Sequence, residues 1–524
     1  MLSSVDTQRP AKPLGLWRLA GAAFGGVIGS GWLLTAGSVA TIAGPASVLT
    51  WVVGGALLVC VALVMIQVSR LKNTSGGLVW WPVHSSGRVV GTVVAAAVWI
   101  VYAANPPSEA LAMAQYTSAH GISGLYNMDS GSLTAKGYLF AWAVLLVLCG
   151  INLLGVTWFA RINTAVTAAK FVVPVVTVVL ILLSGWSTRN FSAHGGVAPY
   201  GYGSALTAIT GGGVVYAYTG FQGPFDLGGE ADRPTRNLGR SVLLSLILAI
   251  VVYTALQIAF VGALPGTAFG KAGWSDLGAF ASTPYLTLAL FLNLTWFSWV
   301  LTADALFSPA GSALVFTSAM AHEVESLALN DLLPDWFHRR FGPRHVLRNA
   351  LICNLVIGTV LLGFGSWNKI VSSVSMLALF AYAASAIAHV VFARVKGERL
   401  GLAWRVLSPA TFVFATEIVY WARWDLVWRN FALLFGLSLV LHAYRWRFKA
   451  GTRLKLRHEL RSALWVPVYF GSLLLLSGIG SFGGLNLVTR PWDSLVAGGI
   501  GLACFLWAVR LSTAYVHEHP PSLD

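Results

Sequence analysis

Residues 15–38, GLWRLAGAAFGGVIGSGWLLTAGS, form an apolar run with Gly25, Gly26, Gly29 and Gly31 at its middle. A helix that crosses a bilayer needs about 20 such residues, yet each glycine costs roughly 1 kcal/mol in a helix interior. The run predicts a helix that starts, breaks at mid-membrane and starts again. Unwound backbone at that depth persists where it is buried in protein or lines a cavity. Residues 203–230, GSALTAITGGGVVYAYTGFQGPFDLGGE, have the same character, with Gly211, Gly212, Gly213, Gly220, Gly223 and then Pro224. The two runs are five apolar runs apart, as corresponding broken helices of an inverted-repeat transporter would be. The alternative is that the glycines merely let helices pack closely, a spacing that Gly21, Gly25 and Gly29 also satisfy.

Composition agrees with a membrane setting. The 524 residues are 56% hydrophobic and 10% charged, and the mean hydropathy is +0.71; soluble domains carry about a quarter charged residues. Cys60, Cys149, Cys353 and Cys504 sit in separate apolar runs, which reads as reduced packing residues and not as a disulfide scaffold. Abundant Trp, Phe and Tyr exclude disorder. Fourteen apolar runs are centred near residues 29, 57, 103, 147, 172, 216, 252, 301, 356, 382, 412, 435, 471 and 504. An even number puts both termini on one side, and the 34 Lys and Arg fall mostly in the segments on that side, which predicts cytoplasmic termini. The net charge of +15 is thus a topology signal, not a nucleic-acid footprint.

The expected division is a cytoplasmic tail at 1–15, a ten-helix transport core at 16–395, four further helices at 396–515 and a cytoplasmic tail at 516–524. The first run follows no short apolar stretch with a small-residue cleavage site, so it reads as a retained helix. The connection at 321–346 reads as an interfacial helix ending at Pro334, and the basic stretch Arg445–Arg461 as an anchor at an anionic membrane face.

A broken helix leaves backbone groups without intrahelical partners. The second half of the first run would begin near Ser30, so the amides of Ser30, Gly31 and Trp32, at a partial positive end, suit a carboxylate. The first half of the sixth would end near Tyr216, Ala217 and Tyr218, whose carbonyls suit an ammonium. One of each fits a zwitterion, hence an amino acid.

GGVIGSGWLLTAGSVATIAGP (25–45), GGGVVYAYTGFQGPFDLGGEADRPTRNLGRSV (211–242) and LNDLLPDW (329–336) resemble segments of the amino acid–polyamine–organocation (APC) superfamily of amino acid permeases. GSGWL (29–33), TADALFSPAG (302–311), FATEIVYWARW (414–424) and IGSFGG (479–484) are similar to its bacterial aspartate/glutamate:proton symporter branch. The resemblance implies an all-α polytopic fold: a LeuT-like 5+5 inverted repeat, broken at helices one and six, within about 14 transmembrane helices of a bacterial inner membrane. It also implies alternating access, with the substrate backbone held by Ile28, Ser30, Gly31, Tyr216, Ala217 and Thr219, and Tyr218 as an aromatic neighbour or gate. The sequence departs from many relatives in having Gln222 for Glu, and Leu329 and Asn330 before the loop aspartate.

Deep ionisable residues mark function by default. Lys170, in RINTAVTAAKFVVPVV (161–176), is nine residues beyond Arg161, about 14 Å further along a helix. By the resemblance it stands where sodium-coupled relatives hold an ion, and would couple transport to protons. It could instead pair with Glu109 (in NPPSEALAMAQY, 105–116) or Asp304, or hold the second carboxylate of an acidic substrate. Glu109 and Asp304 are the other coupling candidates, and either could instead be a structural partner of a backbone break; Glu417 and His389 read as packing residues. No nucleotide-binding, metal or nucleophile motif occurs, so no enzyme, metal or cofactor is expected. The expected partners are an amino acid, protons and membrane lipid. The expected activity is proton-coupled import of an amino acid, aspartate or glutamate favoured. The alternatives are exchange or symport of neutral or aromatic amino acids or amines, and, in another class, an ion channel.

Overall fold

The computed structural model describes residues 14–74, 76–121, 124–127, 130–154, 156–226, 231–342, 346–448 and 458–520, with backbone alone over 156–168. The first glycine-rich run folds as two helices, α1 (Leu16–Val27) and α2 (Ser30–Ala43), parted at Ile28 and Gly29. Four helices follow: α3 (Ser47–Leu71), the short α4 (Gly77–Ser86), α5 (Arg88–Ala119) and α6 (Ala135–Leu153). After α7 (Val156–Ser184), the second glycine-rich run gives α8 (Tyr202–Gly211), α9 (Val214–Tyr218) and turns over 219–222. The chain continues as α10 (Pro234–Ala263), α11 (Pro284–Phe291), α12 (Thr295–Leu329), α13 (Arg348–Leu362) and α14 (Trp367–Val395). It closes with α15 (Leu402–Trp421), α16 (Trp424–Phe448), α17 (Trp465–Ile479) and α18 (Trp492–Glu518).

Ten helical runs among the described residues are long and apolar enough to cross a membrane, and Ala169–Ser184 and Arg348–Leu362 are shorter apolar helices. Each expected centre falls inside a helix, except residue 29, which falls in the first break. The axis of the molecule is α5 and α14, which are buried along almost their whole apolar length. Around them pack α3, α4 and α12, while α1 lies against α10. The outer helices turn apolar residues such as Leu183 and Leu475 outward, the arrangement that a hydrocarbon surrounding favours and water does not.

Both breaks form where the glycines are, and each has a local cause. Ile28 N–H still closes a helical bond to Phe24 O, but Gly29 turns out of the helix at φ −131°, ψ −140°. In the second run Gly213 and Gly220 adopt φ of +87° and +122°, conformations that glycine tolerates and side chains oppose. The two breaks then touch. A Cβ on Gly26 would sit 3.2 Å from the Gly220 Cα, and one on Gly31 only 2.8 Å from the Ala217 Cα.

Two expectations are corrected, and one helix is new. The stretch 321–329 is not a separate interfacial helix but the end of α12, which runs unbroken to Leu329; a short 3-10 turn, Asp335–Phe337, follows Pro334. The helix α4, with Pro82 inside it, was not anticipated. At the C-terminus, residues 516–518 belong to α18 and not to a tail. The tail at 1–13 and the centre of the basic stretch, 449–457, lie outside the described residues.

Candidate functional site

The last turn of α1 presents three carbonyls to the break, and three different helices answer them. Lys170 Nζ of α7 donates to Gly25 O at 2.5 Å. Ser312 Oγ of α12 donates to Gly26 O at 3.1 Å, and Tyr253 OH of α10 to Val27 O at 3.0 Å. A helix C-terminus carries a partial negative charge, so a lysine there is electrostatically well placed. Lys170 is fully buried. It makes no ion pair with Glu109 or Asp304, although both act on it through space. The structural-pairing alternative therefore takes another form: a charge bonded to a backbone break.

On the other side of the break, the α2 end expected to receive a carboxylate already holds one. Ser30 N–H donates to Glu109 Oε2 at 2.6 Å. Tyr216 OH donates to Glu109 Oε1 at 3.0 Å, and Asn105 Nδ2 approaches the same oxygen at 3.4 Å. Ser108 Oγ lies 2.7 Å from the Tyr216 hydroxyl, with Ser30 Oγ at 3.3 Å. Burying a carboxylate costs several kcal/mol unless it is hydrogen-bonded, and here it draws on both broken helices. Charge-assisted bonds of this length are the stronger kind.

The remaining predicted residues divide. Tyr216 is fixed further by Ser375 of α14, whose hydroxyl oxygen accepts its N–H at 3.0 Å. Its carbonyl is not free, since Thr219 N–H donates to it at 2.9 Å. Ile28, Ala217 and Thr219 are buried at the breaks, and Thr219 Oγ1 donates back to Val215 O. Tyr218 turns away, its hydroxyl on the Trp51 carbonyl of α3 at 3.1 Å and its ring against Trp51 and Tyr253. Trp32 stacks on Tyr285 of α11, with ring centroids 5.6 Å apart. Asp304 lies behind it: Oδ1 accepts from Ser308, while Oδ2, buried, has no hydrogen bond. The Trp32 indole faces that carboxylate without completing a bond. Gln222 caps the second break, accepting from Gly220 N–H at 2.8 Å. Of the two weaker residues, His389 is packed against Ser408 and Trp404, and Glu417 lies far along the chain on α15.

Sequence reasoning missed Trp367, Ser375, Ser312 and Tyr253. Trp367 Nε1 donates to Ser30 Oγ at 2.9 Å, and its ring meets Tyr216 edge-on. One overlooked signal was Asn105-Pro106-Pro107 inside α5. Two prolines remove helical N–H donors, and they do so beside the residues that meet Glu109. Small hydroxyl residues in long apolar helices, such as Ser312 and Ser375, were the other.

The assembled site has a buried lysine, a buried carboxyl group and the ends of two broken helices. That suits reversible binding of a small zwitterion, and among the described residues no group of His, Cys, Asp and Glu could hold a metal ion. Residues 14–440 match the family model described as amino acid permease. The chain is 32% identical over 513 residues to the glutamate/serine transporter AimA of Bacillus subtilis, covering 95% of this chain and 93% of that one. It is 30% identical over 507 residues to the aspartate–proton symporter of the same organism, covering 95% and 96%. The methylthioribose transporter of Bacillus subtilis is 21% identical over 448 residues, covering 82% and 93%.

Proposed function

This chain belongs to the amino acid permease family, a multi-pass membrane transport protein and not an enzyme, and we propose that it imports an acidic amino acid with protons across a bacterial inner membrane. In this reading, fourteen spans with cytoplasmic termini contain a 5+5 inverted repeat whose broken members are α1/α2 and α8/α9. The substrate backbone is held by Ile28, Ser30, Gly31, Trp32, Tyr216, Ala217 and Thr219, with Tyr218 as packing behind them. Lys170 and Glu109 carry the coupling, and Asp304 supports the site through Trp32.

The observation that carries the proposal is the pair of occupied helix ends. Glu109 bonds the Ser30 amide that a substrate carboxylate would need, and Lys170 bonds the α1 carbonyl end. Protonation of Glu109 removes its charge and weakens its hold on Ser30, which frees the amide for the substrate. Proton uptake and substrate binding then favour one another, which is what symport requires. The names of the two relatives, one acting on aspartate and one on glutamate and serine, support an acidic substrate and keep serine as the second reading.

The test is uptake of labelled aspartate, glutamate and serine into proteoliposomes under an inward proton gradient. Saturable aspartate or glutamate uptake that a protonophore abolishes is expected. Serine uptake alone would move the assignment to a neutral amino acid. Uptake indifferent to the protonophore would remove proton coupling.

A further inference from the structure

Away from the breaks, the ends of α3, α10 and α15 meet at one face of the molecule and enclose a cavity of about 410 Å³. Its rim carries Arg70 from the last turn of α3, and Arg236 and Arg240 from the first two turns of α10. All three guanidinium groups are exposed and, among the described residues, none has a hydrogen bond or ion pair. Among the described residues, none that lines the cavity is acidic. The floor is apolar, made by Leu63, Ile66 and Leu243. Trp404, half-buried in the first turn of α15, closes one side.

This is an amphipathic cleft with a definite order. Cations stand at the helix ends, where headgroups lie, and aliphatic side chains sit one to two turns deeper, where acyl chains begin. Arginine suits a phosphate because its planar fork can give two parallel hydrogen bonds. Trp is favoured where a membrane protein meets the headgroup layer. A free phosphate would use the rim and leave the floor empty; a neutral lipid would use the floor and leave three cations unanswered. We propose that this cleft is a binding site for one anionic diacyl phospholipid, its phosphate held by Arg70, Arg236 and Arg240 and the start of its chains laid over Leu63 and Leu243. The lipid ties α3 and α10, the latter packed against α1, to α15. Each cation near a lipid surface contributes about a fivefold gain in binding, hence about a hundredfold for three.

The experiment uses the full chain purified in mild detergent and depleted of lipid. It is titrated with phosphatidylglycerol and with phosphatidylcholine of the same acyl chains, and bound lipid is counted by native mass spectrometry. One phosphatidylglycerol should be held tightly at concentrations where phosphatidylcholine is not. The Arg70→Gln/Arg236→Gln/Arg240→Gln variant should bind it about a hundredfold more weakly, and each single substitution about fivefold, which preserves the test if the triple variant does not purify. A control with the same charge change elsewhere, Arg447→Gln/Arg461→Gln/Arg510→Gln, should keep the lipid. Equal retention by the cleft variant, equal loss in the control or equal binding of phosphatidylcholine would overturn the site. Displacement of the lipid by an equal concentration of inorganic phosphate would overturn the lipid assignment in favour of a soluble anion.

Discussion

Lys170→Ala is the perturbation that most directly tests proton coupling. The wild-type ammonium donates to Gly25 O at 2.5 Å with no solvent exposure. Its removal leaves a helix-end carbonyl buried without that donor, a cost of about 1–3 kcal/mol. It also withdraws the positive charge that acts on Glu109 and Asp304. The protein should therefore survive with a lowered thermal midpoint. Transport is read in two modes with the same proteoliposomes. An inward gradient of one pH unit holds about 1.4 kcal/mol per proton, enough for roughly tenfold accumulation at one proton per substrate. Wild type should approach that ratio, while Lys170→Ala should stay near unity and still exchange labelled for unlabelled substrate. Tenfold accumulation by the variant would refute the coupling role. Loss of both modes in a variant that still elutes as a single species would refute the separation of coupling from binding, and would make Lys170 part of the substrate site.

Gly31→Ala puts a methyl group 2.8 Å from the Ala217 Cα, so α2 and α9 must part; exchange should fall more than tenfold while the protein remains soluble in detergent, and unchanged exchange would show that the contact is not part of the site. Tyr216→Phe deletes the hydroxyl shared by Glu109 and Ser108, worth about 1–2 kcal/mol; the half-saturation concentration in exchange should rise about tenfold, and no change would disconnect this hydroxyl from substrate. Arg445 and Glu459 form a bidentate ion pair, each side chain 3% exposed, with both bonds at 2.8 Å. Arg445→Met strands a buried carboxylate and should cost about 3–5 kcal/mol; the thermal midpoint of Arg445→Met/Glu459→Met should recover most of the loss, and no recovery would mean that packing, not the unpaired charge, sets the penalty.

The breaks were legible because clustered glycines weaken a helix locally: one break falls at Ile28 and Gly29, and the other between Gly211 and Gly223. The depth of Lys170 was legible because few charges enter apolar runs. Its partner was not, since the lysine lies 145 positions from Gly25 in the chain, and nothing in either segment favours a backbone carbonyl over a carboxylate. Glu109 as a partner of a backbone break was one of the two readings of that residue, but its bond to the Ser30 amide was not specified. The sequence reading set a free helix end there because it treats each helix alone, whereas α5 supplies the ligand from 79 residues away. Residues 216–219 were read as one patch, and the separate packing of Tyr218 was not foreseen. On a helical turn such as α9, adjacent residues face different sides, and the Tyr218 hydroxyl meets α3 instead.

The three carbonyls at the end of α1 bear on how the carrier switches. Lys170, Ser312 and Tyr253 tie them to α7, α12 and α10, so α1 cannot tilt away from one helix without straining its bonds to the other two. At about 1 kcal/mol per bond, the untied form is held near or below one molecule in a hundred. In the proposed transport cycle the fastening would act as a latch with a rare open state. Whatever loosens one tie raises the frequency of opening for all three, and a proton arriving at a single side chain can be felt by a whole half-helix.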